Sequence, residues 1–292
     1  MLVAIYGRKL KPQVKEGVVQ LFKLLQEKNI EFIIYQPFYK HIKRMFKLEF
    51  EAKTFNNREE FQKDVSFIFS LGGDGTILDT VSWVGEYEIP IIGINMGRLG
   101  FLASIPINKI ARIVDALETG DYEIDKRNML VVGGNRQLFK DSPYALNEFT
   151  MQRSDTSSMI TVHTYINGEH LNSYWADGLI ISTATGSTGY SLSCGGPIIY
   201  PNNENFIITP VAPHNLNVRP LVVSDDVELS FQIEGRTKKF LATLDSRVES
   251  FDNTIEITIK KAPFKANLVR LNDTSFLNAI KEKLHWGEDL RN

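Results

Sequence analysis

The sequence predicts two domains, an α/β N-terminal domain with a parallel sheet covered by helices and an all-β, sandwich-like C-terminal domain. Three observations predict this fold. The chain has 292 residues, about twice the ~150 of a single domain. Apolar runs in the first half are continuous, as in strands buried on both faces, whereas the second half alternates apolar and polar residues. We expect domains at 1–125 and 126–264, with 265–292 packing back on the first.

The first domain alternates strand-like and helix-like patterns. Val14, Val18 and Leu21 follow helical spacing after an apolar first strand, and Gly120 is placed to end the last helix of this domain. The expected strands are 2–6, 31–35, 65–71 and 89–94, and the expected helical stretches are 14–25, 41–48 and 110–117.

The second domain is predicted to consist of antiparallel β strands. Residues 227–234 and 255–259 alternate with period two. Asn167-Gly168 is typical of a type I′ hairpin turn between 162–166 and 169–175. A second turn is expected at 234–236, and helical spacing returns at 276–284.

The composition is that of an ordinary soluble protein. Lys and Arg number 33 against 35 Asp and Glu, for a net charge of −2, so the basic excess that nucleic-acid binding requires is missing. No apolar run approaches the ~18 residues of a membrane span. The apolar start is too short for a signal peptide, and the single cysteine, Cys194, has no disulfide partner in the chain. We expect a cytoplasmic protein with no nucleic-acid or membrane partner.

The most informative segment is a glycine cluster after the buried strand at 65–71. Glycines let main-chain N–H groups approach a phosphate, and a helix beginning near Thr76 adds the positive end of its dipole. Asp74 would lie at the carboxyl end of a strand, where open α/β sheets bind ligands. A plain tight turn has the same glycines, but the strand before it and the helix after it favour a phosphate site. The cluster consists of Gly72, Gly73, Asp74, Gly75 and Thr76.

Other phosphate and hydrolase motifs are missing from the sequence. The absence of Gly-x4-Gly-Lys-Ser/Thr and Gly-x-Gly-x-x-Gly argues against P-loop kinases and hydride-transferring Rossmann enzymes. The Gly-x-Ser-x-Gly motif that surrounds the nucleophilic serine of many hydrolases is also missing, so neither Ser187 nor Ser191 is predicted to be such a nucleophile.

The glycine cluster resembles the signature shared by NAD kinases and by the diacylglycerol and sphingosine lipid kinases. Further segments are similar to NAD kinases specifically, and all occur in the expected order along the chain. They are Gly97 to Leu102, Asn147-Glu148, Asp177 to Pro197, and Arg219-Pro220-Leu221.

The resemblance implies transfer of the γ-phosphoryl group of ATP to the 2′-hydroxyl of the adenosine ribose of NAD, which yields NADP. It also implies the predicted fold with a site in the crevice between the domains. NAD and ATP are then the substrates, and a divalent metal, Mg²⁺ held through the ATP phosphates, is the cofactor. Asp74 takes the role of general base that accepts the hydroxyl proton.

Other residues take binding roles from the same resemblance. Asn147 offers donor and acceptor groups and Glu148 offers acceptors for ribose hydroxyls, although a polar pair at a strand edge would look the same. Asp177 can accept from an amino or carboxamide group. The expected NAD- and ATP-binding residues are Gly72, Gly73, Gly75, Thr76, Phe101, Asn147, Glu148, Trp175, Asp177, Thr188, Gly189, Tyr190, Ser191, Leu192, Ser193, Ala212 and Arg247.

Several positions depart from the family pattern or have a second explanation. Ala184, Gly189 and Cys194 are small residues where the family commonly has Pro, Ala and Ala. Trp175 stands where many bacterial members carry Arg or His, so it either contacts the nicotinamide end or packs in the sandwich core. Arg247 either contacts the dinucleotide or forms a surface salt bridge.

Two alternative functions stay open at this stage. A lipid kinase would share the glycine cluster, but it predicts neither the Asn-Glu pair nor the loop at 185–188. A non-catalytic NAD-binding sensor would not need a base at Asp74. The resemblance also implies a homodimer or homotetramer formed through the β domain, and an exposed apolar sheet face would be its physical sign.

Overall fold

The computed structural model describes residues 1–61, 64–97, 100–154, 158–272 and 275–287. The chain divides into two compact units. Unit 1 comprises Met1–Lys126 and Ala266–Asn292, and unit 2 comprises Arg127–Lys265. The sequence placed the corresponding boundaries at 125/126 and 264/265. None of the described helices is long and apolar enough to cross a membrane.

Unit 1 contains a largely parallel sheet with helices. Its sheet has the strand order β3-β2-β1-β4-β5-β20-β7, with β6 paired to β5. The strands are β1 (Leu2–Gly7), β2 (Glu31–Tyr35), β3 (Lys53–Phe55), β4 (Val65–Gly72), β5 (Ile91–Asn95), β6 (Ile105–Pro106), β7 (Glu123–Arg127) and β20 (Ala266–Arg270). The helices are α1 (Lys15–Glu27), α2 (Gln36–Phe46), α3 (Arg58–Phe61), α4 (Asp74–Val84), α5 (Ile110–Thr119) and α7 (Phe276–Leu284).

The continuous apolar strands of unit 1 are buried as predicted. Ile5, Phe69 and Ile92 of the central strands are fully buried, and they pack in one core with Val18 and Leu21 of α1. The parallel pairs β2–β1, β1–β4 and β4–β5 bring the carboxyl ends of these strands to one edge of the sheet.

Helix α2 and strand β20 are among the features of unit 1 that differ from the sequence expectation. Helix α2 covers Gln36–Phe46 instead of 41–48, because Pro37 lies in its first turn, where the missing N–H costs nothing. Strand β20 was not anticipated, and it joins the sheet beside β5 after the chain has passed through unit 2. The helix at 276–284 is confirmed, as is the end of α5 at Gly120, which has a φ of +77°.

Unit 2 is the predicted all-β domain, built from two six-stranded sheets. The sheet orders are β15-β14-β13-β10-β17-β18 and β12-β11-β16-β19-β8-β9. The strands are β8 (Leu130–Gly134), β9 (Tyr144–Ala145), β10 (Glu148–Arg153), β11 (Ile160–Ile166), β12 (Glu169–Ala176), β13 (Gly178–Thr183), β14 (Asn205–Val211), β15 (Leu221–Ser224), β16 (Leu229–Glu234), β17 (Lys239–Leu244), β18 (Arg247–Asp252) and β19 (Ile257–Lys261), and α6 is Tyr190–Ser193.

The two sheets of unit 2 share one core. Phe149 and Phe240 from the first sheet and Val162 and Phe231 from the second are fully buried in the same cluster. The Asn167-Gly168 turn is confirmed, since both residues have positive φ between β11 and β12. The turn at 234–236 connects β16 to β17, which belong to different sheets, so the chain crosses the sandwich there.

Candidate functional site

The glycine cluster in unit 1 connects β4 to α4. Helix α4 begins at Asp74, two residues earlier than expected, and its N-cap residue Gly73 supplies no side-chain hydrogen bond. A Cβ on Gly72 would lie 2.1 Å from the Thr76 hydroxyl, whereas a Cβ on Gly73 would meet no atom within 4 Å. Glycine at 72 is thus required by packing, whereas the space beside Gly73 and the helix N-terminus is open to an anion.

The carboxylate of Asp74 organises the loop that follows β5. Its Oδ2 accepts the N–H of Phe101 at 2.8 Å, and its Oδ1 accepts the N–H groups of Leu102 at 3.1 Å and Ala103 at 2.9 Å. A Cβ on Gly100 would lie 1.8 Å from Oδ1, so only glycine lets the main chain wrap around the carboxylate. A carboxylate accepts about four hydrogen bonds, which leaves Oδ2 able to accept one more.

Asn95, at the end of β5, fixes the same loop from its other side. Its Oδ1 accepts the N–H of Gly97 at 2.7 Å, and its Nδ2 donates to the oxygen of Ala103 at 3.2 Å. Arg98 and Leu99 of the family motif lie outside the described residues. On either side of these two residues the main chain is anchored by side chains, at Gly97 by Asn95 and at Phe101 to Ala103 by Asp74.

Lys283 is a residue of this site that the sequence analysis missed. Its Nζ lies 3.8 Å from Oδ2 of Asp74 and 4.2 Å from the ring centroid of Phe101, within the range of a cation–π contact. Phe276, two turns earlier on α7, packs against Phe101 with the ring centroids 6.2 Å apart. The sequence does contain one indication of this contact. Phe276 and Lys283 are seven residues apart, which puts both side chains on the same face of the helix.

In unit 2 the Asn147-Glu148 pair is positioned by a half-buried acid, Asp245. The N–H groups of Leu146, Asn147 and Glu148 donate to its carboxylate at 2.9, 2.9 and 3.1 Å. Burial raises the pKa of Asp245 to about 6, although these donors and Arg247 oppose the rise. Asp245 thus fixes the main chain at the start of β10, and sequence analysis did not single it out for this role.

Two buried oxygen atoms of the pair have no hydrogen-bond partner. They are Oδ1 of Asn147 and Oε2 of Glu148. Burial raises the pKa of Glu148 to about 8, and the nearby Asp245 carboxylate adds to the rise, whereas the N–H of Tyr190 opposes it. A buried acceptor without a donor costs free energy, so both atoms are suited to accept hydrogen bonds from a ligand.

The loop at 185–189 lies against this pair. A Cβ on Gly189 would lie 2.7 Å from Oε2 of Glu148 and 3.6 Å from Nδ2 of Asn147. Glycine at this position, where the family commonly has alanine, therefore gives the Glu148 side chain more room. Tyr190 follows with an exposed ring, and its hydroxyl accepts from Nε2 of Gln152 at 3.1 Å.

Not all the predicted residues of this segment offer a side chain to a ligand. Ser191 is fully buried, and its hydroxyl is hydrogen-bonded to that of Thr209 at 2.8 Å. The Thr188 hydroxyl donates to the oxygen of Thr185 at 3.4 Å. Leu192 is half-buried and Ser193 is exposed on the short helix α6.

Trp175, Asp177 and Ala212 are brought together by neighbouring strands. The Trp175 side chain is 46% exposed, and its ring lies 4.2 Å from that of His214. The alternative that it packs in the sandwich core is therefore wrong. The N–H of Asp177 donates to the oxygen of Val211 at 3.0 Å, next to Ala212. The carboxylate of Asp177 is paired with Arg153 at 3.0 Å.

Arg247 is engaged within unit 2. Its guanidinium donates to the main-chain oxygens of Ser142 and Tyr144, and it lies 5.9 Å from the ring centroid of Phe139. These carbonyl contacts hold the loop before β9. The surface salt bridge and the contact with a dinucleotide both stay predictions.

The chain contains no metal site built from its described side chains. No group of three or more His, Cys, Asp or Glu residues in the described ranges is placed to hold a metal ion.

Family models match most of the chain. The ATP-NAD kinase N-terminal domain matches residues 3–122, and the ATP-NAD kinase C-terminal domain matches residues 146–271. The chain belongs to the NAD kinase family. The NAD kinase of Cytophaga hutchinsonii is 46% identical over 293 aligned residues, and that of Bacteroides fragilis strain YCH46 is 40% identical over 291, each with 100% of both chains covered.

Solved NAD kinase structures share the fold. An NAD kinase from Archaeoglobus fulgidus in complex with ATP has a TM-score of 0.77 at 26% identity, covering 98% of this chain and 99% of that one. Yeast NADH kinase complexed with NADH has a TM-score of 0.90 at 21% identity, covering 100% of this chain and 89% of that one. The NAD kinase interpretation of the motifs is confirmed, and the lipid kinase alternative is not favoured.

The raised pKa of Glu148 predicts a pH-dependent stability. Between pH 4.5 and about 8 the folded protein keeps a proton that the unfolded chain has lost, so stability falls as pH rises through this window. Glu148→Gln removes this titration. We expect its gain in Tm over the wild type to grow between pH 5 and pH 8.5. Glu256→Gln, at an exposed site, is the control, and a pH-independent difference for Glu148→Gln would contradict the prediction.

The position of Lys283 beside Asp74 predicts that helix α7 contributes to the rate of phosphoryl transfer. Lys283→Met removes the cation beside Asp74, so we expect kcat to fall about tenfold or more, while Lys283→Arg retains part of the activity. Lys281→Met, an exposed site on the same helix, should leave kcat unchanged. Initial rates at saturating substrates measure the effect, and equal losses at 281 and 283 would show that only helix α7 as a whole matters.

Proposed function

We propose that the protein transfers the γ-phosphoryl group of ATP to the 2′-hydroxyl of the adenosine ribose of NAD, giving NADP and ADP. The bond between the γ-phosphorus and its bridging oxygen breaks, and a bond from phosphorus to the ribose oxygen forms. The hydroxyl proton passes to a carboxylate. Family membership and the Archaeoglobus relative solved with ATP support the substrate pair.

The observation that carries the proposal is the pair of unpartnered oxygens on Asn147 and Glu148. A ribose hydroxyl can both donate and accept a hydrogen bond, so adjacent ribose hydroxyls can pair with the amide oxygen of Asn147 and with the carboxyl group of Glu148 in either protonation state. Asp245 holds the main chain that carries them, so the acceptors are fixed before a ligand arrives. Ribose hydroxyls are suitable hydrogen-bond partners for both atoms.

Asp74 is the proposed proton acceptor. Its Oδ2 accepts one main-chain N–H and has room for the ribose hydroxyl. The open space beside Gly73 and the uncapped N-terminus of α4 accommodate phosphate oxygens at the same turn. Lys283 supplies a positive charge near Oδ2, where negative charge spreads over the transferred group.

Magnesium enters this scheme as part of the MgATP substrate. When bound, it neutralises phosphate charge during transfer. The carboxylates of Asp74 and Asp177 are both engaged by protein groups, which is consistent with a metal held chiefly by phosphate oxygens.

The assembly of the protein is a further expectation. Leu221 and Val222 of the edge strand β15 are exposed together with Leu216 in the preceding loop. Such apolar surface supports a homodimer or homotetramer formed through unit 2. Light scattering coupled to size exclusion measures the mass in solution.

The direct test of the function is NADP formation. Purified protein is incubated with ATP, magnesium and NAD, and an NADP-specific dehydrogenase reports the product. NADP that forms only with ATP present supports the kinase. NAD binding without NADP would identify the sensor alternative.

Asp74→Asn tests the proton acceptor. We expect kcat to fall by roughly 10² to 10⁴ with a much smaller change in KM, because the base is lost. The amide also replaces an oxygen that accepts a main-chain N–H, so a loop control is needed. Asn95→Ala loosens the same loop and keeps the carboxylate. A similar kcat in both variants would assign the loss to the loop.

Trp175→Leu tests redox discrimination. The exposed indole can lie against the nicotinamide, and its π face attracts the cationic oxidised ring but not the neutral reduced ring. We expect the wild type to bind NAD about tenfold better than NADH, and the variant to narrow this gap by weakening NAD more. Calorimetry at one salt concentration measures both affinities. Equal losses for the two nucleotides would place discrimination elsewhere.

A further inference from the structure

Two buried hydroxyl groups lie on the sheet of unit 2 that carries Glu148. They belong to Thr150 on β10 and Ser182 on β13, which are 2% and 0% exposed. Neither Oγ1 of Thr150 nor Oγ of Ser182 has a hydrogen-bond partner among the residues that the structure describes. A hydroxyl that is removed from water without a partner costs free energy. We therefore expect both groups to be satisfied by a molecule other than the protein.

The strand register places both hydroxyls beside the Glu148 side chain. Ser182 is the partner of Glu148 in the antiparallel pair β10–β13, and Thr150 follows Glu148 by two residues on the same strand. Side chains that are directly opposite, or two residues apart on one strand, lie on the same face of a sheet. The three side chains therefore form a polar row, in which Oε2 of Glu148 has no protein partner either.

The polar row lies on the face of the sheet that points away from the sandwich core. The alternate residues Phe149, Met151 and Ile181 are buried in that core. Helix α6 covers the opposite face, since its Ser191 is hydrogen-bonded to Thr209 of the neighbouring strand β14. The two hydroxyls are thus enclosed within unit 2.

The loop before α6 closes the space beside the row. A Cβ on Gly186 would lie 2.1 Å from the main-chain oxygen of Asn147, and a Cβ on Gly189 would lie 2.7 Å from Oε2 of Glu148. The N–H of Tyr190 also donates to the carboxyl group of Glu148. The main chain of this loop therefore packs directly against the end of the Glu148 side chain.

The spacing of the row suits one bridging molecule. Opposite Cβ atoms of an antiparallel pair are about 5 Å apart, and no direct hydrogen bond satisfies Oε2 of Glu148 or the hydroxyls of Ser182 and Thr150. A water molecule at hydrogen-bond distance from two groups spans about 5.5 Å between them. Buried water molecules typically make about three hydrogen bonds to buried polar groups, and the row offers three such groups.

We propose that one water molecule, bound by Glu148, Thr150 and Ser182, holds the Glu148 carboxyl group in place for the ribose of NAD. Ser182 and Thr150 are then positioning residues for this carboxyl group. The assignment rests on the proposed function. A water molecule donates to a carboxylate and accepts from a carboxylic acid, so the bridge fits both protonation states of Glu148.

The bridge complements the contacts of Asp245. Asp245 accepts the N–H of Glu148 and so holds its main chain, whereas the water molecule holds the end of the side chain. A carboxyl group that is ordered before NAD arrives loses less conformational entropy on binding. The bridge therefore acts on NAD affinity and not on the phosphoryl-transfer step.

The test removes each hydroxyl with little change in side-chain shape. Ser182→Ala and Thr150→Val each delete one oxygen, and Thr150→Ser keeps the hydroxyl. Thr164→Val is the matched control, because Thr164 is a fully buried threonine on the other sheet of unit 2. Calorimetry measures NAD affinity, initial rates give kcat and KM, and Tm shows whether each variant folds.

We expect Ser182→Ala and Thr150→Val to weaken NAD binding about fivefold each, because the bridge loses one of its hydrogen bonds. In both variants kcat should stay within twofold of the wild type. Thr150→Ser and Thr164→Val should bind NAD as the wild type does. Unchanged NAD affinity in Ser182→Ala and Thr150→Val, or an equal loss in Thr164→Val, would overturn the proposal.

A double-mutant cycle shows whether the hydroxyls act through Glu148. Ser182→Ala is combined with Glu148→Ala, and NAD affinity is measured for both single variants and for the double variant. A residue that positions the carboxyl group has no further effect once that group is removed, so the double variant should bind NAD as Glu148→Ala does. Additive losses would give Ser182 an independent role and contradict the proposal.

A high-resolution crystal structure of the free protein tests the bridge itself. The expected result is one ordered water molecule within about 3 Å of Oε2 of Glu148, Oγ of Ser182 and Oγ1 of Thr150. A direct hydrogen bond between Glu148 and Ser182, or a metal ion in place of the water molecule, would overturn the assignment.

Failure of this proposal is distinguishable from failure of the proposed function. If NADP forms but the hydroxyl variants bind NAD normally, the kinase stands and the positioning role is wrong. If the wild type binds NAD without forming NADP, the double-mutant cycle still decides the role of Ser182. If the wild type does not bind NAD, the positioning role is wrong together with the function.

Discussion

The candidate site residues of each unit depend on one kind of interaction, a carboxylate that accepts several consecutive main-chain N–H groups. Asp74 holds Phe101 to Ala103 in this way in unit 1, and Asp245 holds Leu146 to Glu148 in unit 2. Loops contain main-chain groups that no strand or helix satisfies. A carboxylate with several lone pairs can satisfy three at once, and it thereby converts a flexible segment into a fixed frame for side chains.

The two acids differ in what else they can do. The carboxylate of Asp245 is occupied with three main-chain N–H groups, so its role is to position Asn147 and Glu148. Asp74 is partly exposed and retains an acceptor position on the side of Lys283. Glu148 combines a buried oxygen that has no protein partner with a raised pKa, since a buried carboxylate is costly to keep charged.

The sequence predicted elements whose patterns are local, and it missed contacts that depend on long-range folding. The strand before Gly72, the turn at Asn167-Gly168 and helix α7 follow from periodicity and turn chemistry. The family resemblance supplied Asp74 and Glu148, but no local pattern reveals that Lys283 meets an acid more than 200 positions earlier. Arg247 and Ser191 fit the motif, yet only packing shows that their polar groups are used within unit 2.

The position of β20 in the sheet of unit 1 has a consequence for biosynthesis. This strand lies between β5 and β7, although the ribosome makes it only after all of unit 2. An emerging chain can therefore complete the β sandwich while the gap beside β5 is still open, and the sheet closes when residues 266–270 are released. Lys283 follows β20 along the chain, so a nascent protein acquires the positive charge beside Asp74 only after all of unit 2 has been made.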